Sequence, residues 1–408
     1  MVFISFLAVE GILRGAYEVR EVFRTVISSD FYRNNLQKTS DIKQGSVVYD
    51  ANEKPIPPGI VYRLEFVQYS TFLGYVPKKN SSGTGYHINR YHLRYDDFPE
   101  EKEANEIRIF VTGGSAAWGK GVSQSDTYAY VLEKSLRAQY PKLKIRVIIA
   151  AVGAHVSTQE RIFFENIVLP LNPDILMMFS GWNDAYFGYR GTNIMHEHDF
   201  WGIKKILQGK IKRMPIEKGD INYFVDPPHY KDYDSKILLF IDKFLYKKKF
   251  PNKAAMQKAI SKISIKPERV YNSLMHNVHI IKTLCDSIGS KFIFYLQPAL
   301  YATEKNKLSK WEKANKKTAD QLSVGFADYT YKIYQMYRKL IPVDALNNGY
   351  IFADGDDAIK FEEKTVFNDE VHFDDRGNRL LAEHMFKILN PLIDKIAAKR
   401  DAGQTTKL

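Results

Sequence analysis

The chain has 408 residues, 45% hydrophobic and 26% charged, with a formal net charge of +12 and a single cysteine, Cys285. This balance implies a globular protein with a real core, and one cysteine excludes an intrachain disulfide while leaving the compartment open. Residues 201–266 hold 16 Lys/Arg against 6 Asp/Glu, so the charge marks one basic surface and argues against a generally basic nucleic-acid binder.

The first element is apolar. Residues 1–26, opening "MVFISFLAVEGILRGAY", read as a helix whose Glu10 and Arg14 can pair one turn apart. Its uninterrupted apolar run is about nine residues, short of the roughly 20 that span a bilayer. Two readings stay open: an amphipathic surface helix, or the end of a longer membrane anchor. Residues 27–106 read as irregular, with "PIPPG" and "KKNSSGTG" as loop signals.

From residue 107 strands and helices alternate. Strands are expected at Ile107–Thr112, Ile145–Ala151, Asp174–Phe179, Lys291–Leu296 and Tyr350–Phe352. Helices are expected at Tyr128–Gln139, capped by Asp126 or Thr127, and at 158–168, 267–288, 305–340 and 376–398. Residues 190–265 break the alternation with Pro227-Pro228 and lysine runs, and read as an insertion; 399–408 form a polar tail. Alternation of this kind predicts a three-layer α/β/α sandwich with a parallel sheet, in which ligands bind beyond the carboxyl ends of the strands.

The turn "GGSAAWGKG" follows the first of these strands. Gly114, Gly119 and Lys120 match most of a phosphate-cradling loop, but the Mg²⁺-holding Ser or Thr is Gly121 here. A lipase-type G-x-S-x-G elbow fails at Ala117. Ser115 read alone is a helix cap. Read with the rest of the chain it is a nucleophile. "FNDEVHFDDRGN" supplies Asp369 and His372, three residues apart, as orienter and base. Oxyanion donors are expected from the Ser115 backbone N–H, from Gly153 after the second strand, and from the Asn183 amide in "SGWND" after the third.

Four blocks, "GGSAAWG", "AVGAHVST", "GWND" and "DEVHFDDRGN", occur in this order. The set resembles the SGNH hydrolases, the GDSL-like esterase/lipase family, over about residues 107–395 outside the insertion. The resemblance implies a flavodoxin-like fold, a Ser115–His372–Asp369 triad, an oxyanion hole of Ser115, Gly153 and Asn183, and no cofactor. Two positions depart from the family. Gly114 stands where its Asp precedes the serine, and Ala151 stands where its Asn opens the second block, which removes a support of that turn.

Other residues carry weaker signals. His155 is a polar loop residue or a pocket residue. Trp118 is read as packing the turn onto the sheet, and Trp182 as a packing residue or pocket wall. His196-Glu197-His198 lacks the companion ligands of a metal site, so no metal is expected. Phe244, Leu245 and Tyr246 beside Lys247–Lys249 read as an exposed helix end or a membrane-touching patch.

The expected function is a serine esterase acting through an acyl-enzyme on a small acyl group, such as acetyl on a carbohydrate of the cell envelope. The alternatives are an O-acyltransferase on envelope polysaccharide with the same triad, and a non-catalytic membrane-associated binding protein that grips an anionic polymer. The expected partners are an acyl ester or acylated carbohydrate and a membrane surface, with no nucleic acid. The insertion leaves the strand end that carries Asn183, so it is expected to flank the same cleft.

Overall fold

A computed structural model describes residues 67–191, except 71 and 84, and 264–401, except 323 and 324. The expected N-terminal helix, the body of the insertion with its lysines, the His196-Glu197-His198 triplet and the expected patch at 244–249 lie outside these residues.

Two short antiparallel hairpins come first: β1 (Val67–Ser70) with β2 (Gly74–Pro77), and β3 (Ser81–Gly83) with β4 (Tyr86–Ile88). Part of the stretch read as irregular is therefore ordered. Its strands are three or four residues long, too short to show a period of two.

The main sheet contains β5 (Glu106–Gly113), β6 (Lys144–Ala151), β7 (Ile175–Ser180), β8 (Lys291–Leu296) and β9 (Ile351–Asp354). All pairs are parallel, and the order is β6-β5-β7-β8-β9. Every residue of β5 and β7 is buried, as expected for strands covered on both faces. That includes Arg108, which pairs with Glu106 and donates to the carbonyls of Pro99, Glu100, Glu101 and Leu171.

The helices are α1 (Ser115–Trp118), α2 (Tyr128–Gln139), α3 (Ser157–Phe163), α4 (Trp182–Tyr189), α5 (Pro267–Ser287), α6 (Lys310–Leu322), α7 (Phe326–Asn348) and α8 (Asp375–Asp401). One group packs α2 against α8, and another packs α5 against α3, α4 and α7. The sheet with its flanking helices is the expected α/β/α arrangement. Thr127 caps α2, its side chain accepting from Tyr130 N; Asp126 belongs to the turn before it. The stretch expected as one helix at 305–340 is two, because Gly325 adopts φ 79° at the start of α7. The 158–168 helix widens after Phe163 into a π-turn over Phe164–Val168.

This strand order reverses direction at β5. The crevice at such a switch point lies between the loops that follow β5 and β7, and those loops carry Ser115 and Asn183.

Candidate active site

Gly113 ends β5 with φ 150°, and a side chain there would overlap the Phe179 carbonyl and Ala117. Only glycine lets the chain turn this sharply between two packed strands. Ser115 then occupies the first position of α1, not the cap, which is Gly114. An N–H at that position has no partner within its own helix.

His372 comes from a tight loop before α8. Phe367 bridges Phe373, and Asn368 N donates to the His372 carbonyl at 2.7 Å. Inside the loop, Asp369 Oδ1 accepts from the backbone N–H of both Val371 and His372 at 2.9 Å. The ring Nδ1–H donates to Asp369 Oδ1 and Oδ2 at 2.7 and 2.6 Å. That bond leaves Nε2 as the acceptor, 2.6 Å from Ser115 Oγ. Ser115, His372 and Asp369 thus form one hydrogen-bonded chain across 257 residues of sequence.

The surroundings set the charges. Burial, the largest influence on His372, lowers its basicity; Asp369 opposes this, Lys120 adds to it, and the net shift is downward. At neutral pH the imidazole is therefore neutral. Burial also works against the Asp369 charge. The His372 imidazole, their hydrogen bond, Lys120 and Val371 N–H outweigh it and hold that carboxyl below the usual range. Beside it, burial and the Asp369 charge push Glu370 up to about 7.

The second block forms a turn after β6. His155 N donates to the Val152 carbonyl at 3.1 Å, and Ala154 adopts φ 65° while Gly153 is not among the positive-φ residues. This is a type II turn with a non-glycine third residue, a left-handed position that costs about 1–2 kcal/mol. The turn is tied to β5 by Val152 N→Gly113 O at 3.0 Å. It is tied to β2 by Tyr75, whose hydroxyl donates to the Gly153 carbonyl at 3.0 Å. His155 Nε2–H donates to the Tyr75 carbonyl at 3.1 Å, with the two rings 5.1 Å apart. His155 is thus a buried brace, not a pocket residue. Gln159 Nε2 donates to the Leu73 carbonyl at 2.8 Å.

Asn183 lies in the first turn of α4 and is buried. Its Nδ2 donates to the His155 carbonyl at 2.7 Å. An amide nitrogen carries two hydrogens, so one is engaged by the turn. A Cβ on Gly114 would overlap the same Nδ2, which places the Asn183 amide directly against the residue before Ser115. Next to it, Asp184 accepts from Ser157 Oγ at 2.6 Å and Ser157 N at 3.0 Å, and burial pushes its carboxyl up to about 6. Glu160 accepts from Ser180 Oγ at 2.7 Å; burial, with Asp184 nearby, drives its pKa well above the carboxylate range.

Three supports were not visible in the sequence: Tyr75, Arg94 and Tyr128. Arg94 donates to the carbonyls of Trp118, Gly119, Gly85 and Val122 at 2.7–3.0 Å. Its guanidinium lies 4.1 Å from the Trp118 ring centroid. Tyr128 OH donates to Ala117 O at 2.7 Å. Together they fix the far end of the Ser115 turn, and Trp118 is a packing residue there. Trp182 packs among Tyr186, Tyr301 and Phe326. Among the described residues no group of three His, Cys, Asp or Glu is placed to hold a metal, and no helix is long and apolar enough to cross a membrane.

No family model and no curated protein matches the sequence. Solved structures do. The acetyl xylan esterase AlAXEase aligns at 13% identity and TM-score 0.37, covering 69% of this chain and 100% of that one. TesA aligns at 11% identity and TM-score 0.36, covering 70% and 99%. Axe2, an acetylxylan esterase from Geobacillus stearothermophilus, aligns at 13% identity and TM-score 0.35, covering 69% and 93%.

Proposed function

We propose that the protein is a serine esterase that works through an acyl-enzyme. The observation that carries this reading is the hydrogen-bonded chain Ser115 Oγ–His372 Nε2, His372 Nδ1–Asp369. A neutral imidazole with its lone pair on the serine hydroxyl is the state a general base needs.

In the proposed reaction, Ser115 Oγ attacks the ester carbonyl as its proton passes to His372 Nε2. Ionised Asp369 stabilises the imidazolium. The Ser115 and Gly153 backbone N–H groups and the second hydrogen of the Asn183 amide hold the oxyanion. His372 returns the proton to the leaving alcohol, and the ester bond breaks. Water, activated by the same ring, then releases the acid. The family resemblance favours a small acyl group, such as acetyl on a carbohydrate of the cell envelope. A sugar hydroxyl in place of water would make the same acyl-enzyme a transferase; product analysis with and without an acceptor sugar distinguishes the two.

The test is labelling with a fluorophosphonate, followed by identification of the modified peptide. Ser115 is the expected site, and Ser115→Ala is expected to lose both labelling and p-nitrophenyl acetate turnover while keeping its melting temperature. Full turnover by that variant would sink the mechanism.

A further inference from the structure

We infer that Tyr75 is a positioning residue for the oxyanion donors, an inference that rests on the esterase reading above. Tyr75 lies on a hairpin outside the main sheet, 78 residues before the Gly153 turn, and is 0% exposed. Its hydroxyl holds the carbonyl of the peptide that joins Gly153 to Ala154. In a β-turn, that central peptide is what differs between types I and II: it flips over, and the third residue changes from negative to positive φ. Ala154 pays for the positive φ of 65°. Without an outside partner for the Gly153 carbonyl, the type I form would relieve Ala154.

The turn matters to the site in two ways. It contains Gly153, and it presents the His155 carbonyl that holds Asn183 Nδ2 at 2.7 Å. Two of the three proposed oxyanion donors therefore depend on one turn. That turn is held in its strained form by a phenol, His155 Nε2–H on the Tyr75 carbonyl, and Gln159 on Leu73. The Asn that opens this block in the family is Ala151 here, so the support comes from outside the block.

Tyr75→Phe keeps the ring and removes only the hydroxyl. A displaced donor costs up to about 10²-fold in rate. The expected result with p-nitrophenyl acetate is a kcat loss of about tenfold or more, with KM little changed. Inhibition by a trifluoromethyl ketone, which forms an oxyanion on the serine, should weaken by a similar factor. Glycine accepts positive φ without strain, so Tyr75→Phe with Ala154→Gly should recover most of the lost kcat. This double variant also covers the case in which Tyr75→Phe alone does not fold, its reference then being Ala154→Gly. Wild-type kcat in Tyr75→Phe, or a double variant as slow as Tyr75→Phe or unable to fold, overturns the inference and leaves the esterase reading standing. Absence of wild-type turnover and of Ser115 labelling overturns both.

Discussion

The amide nitrogen of Asn183 occupies the space where a side chain on Gly114 would begin. The two residues are far apart in sequence, on the loops after β5 and β7, and a side chain at position 114 would require the Asn183 amide to shift. Gly114→Asp, which restores the family pattern, is expected to lower kcat by about 10²-fold by displacing Asn183. The check is steady-state kinetics with a circular dichroism control for folding; undiminished kcat would show that Asn183 is free to move aside.

Asn183→Ala is expected to lower kcat by about 10²–10³, the usual loss for one oxyanion donor. KM should change much less, because the bond strengthens mainly in the transition state. A steep rise in KM at constant kcat would make Asn183 a substrate-binding residue instead.

The pH profile of kcat/KM should have an acidic limb whose midpoint lies below the ordinary histidine value of about 6.5. The base must be neutral to work, and burial and Lys120 both lower the His372 pKa. Removing a nearby positive charge makes protonation easier, so Lys120→Met should move the limb to higher pH. A limb that stays in place or moves to lower pH would show that Lys120 does not act on His372.

Glu160→Gln should gain stability relative to the wild type as pH rises above about 4.3, the ordinary glutamate value. The folded protein raises the Glu160 pKa, so the protonated acid is favoured. Its stabilising contribution is complete below the unfolded value and is lost as pH rises toward the folded one. Glutamine keeps the shape and an acceptor for Ser180 without that loss. Melting temperatures of both proteins between pH 4 and 8 test it; a difference independent of pH would mean that Glu160 is ionised in the folded state.

Arg94→Met should cost several kcal/mol of stability, since up to four carbonyls, three of them in or just after the Ser115 turn, lose a buried donor at about 1–3 kcal/mol each. Denaturant unfolding measures it, and a change below about 1 kcal/mol would mean that water replaces the guanidinium.

The sequence by itself determined the parts whose physics is local. A strand covered on both faces must be a short apolar run, so β5, β6, β7 and β8 were visible to within about two residues at each end. Asp369 and His372 share one small loop, so their pairing could be read from their spacing. Ser115 could be placed because a strand feeding a glycine turn exposes the next side chain. Tertiary structure decided everything that depends on partners distant in the chain. The short strands of the N-terminal hairpins carry no period, so nothing local announced that Tyr75 braces Gly153 or that Arg94 gathers carbonyls from two segments. A continuous helical pattern is interrupted at Gly325, whose φ of 79° no helix interior adopts. The direction of the Asn183 amide, with one hydrogen on His155 O and its nitrogen against Gly114, follows from three loops meeting at one sheet edge, and no single stretch of sequence contains that information.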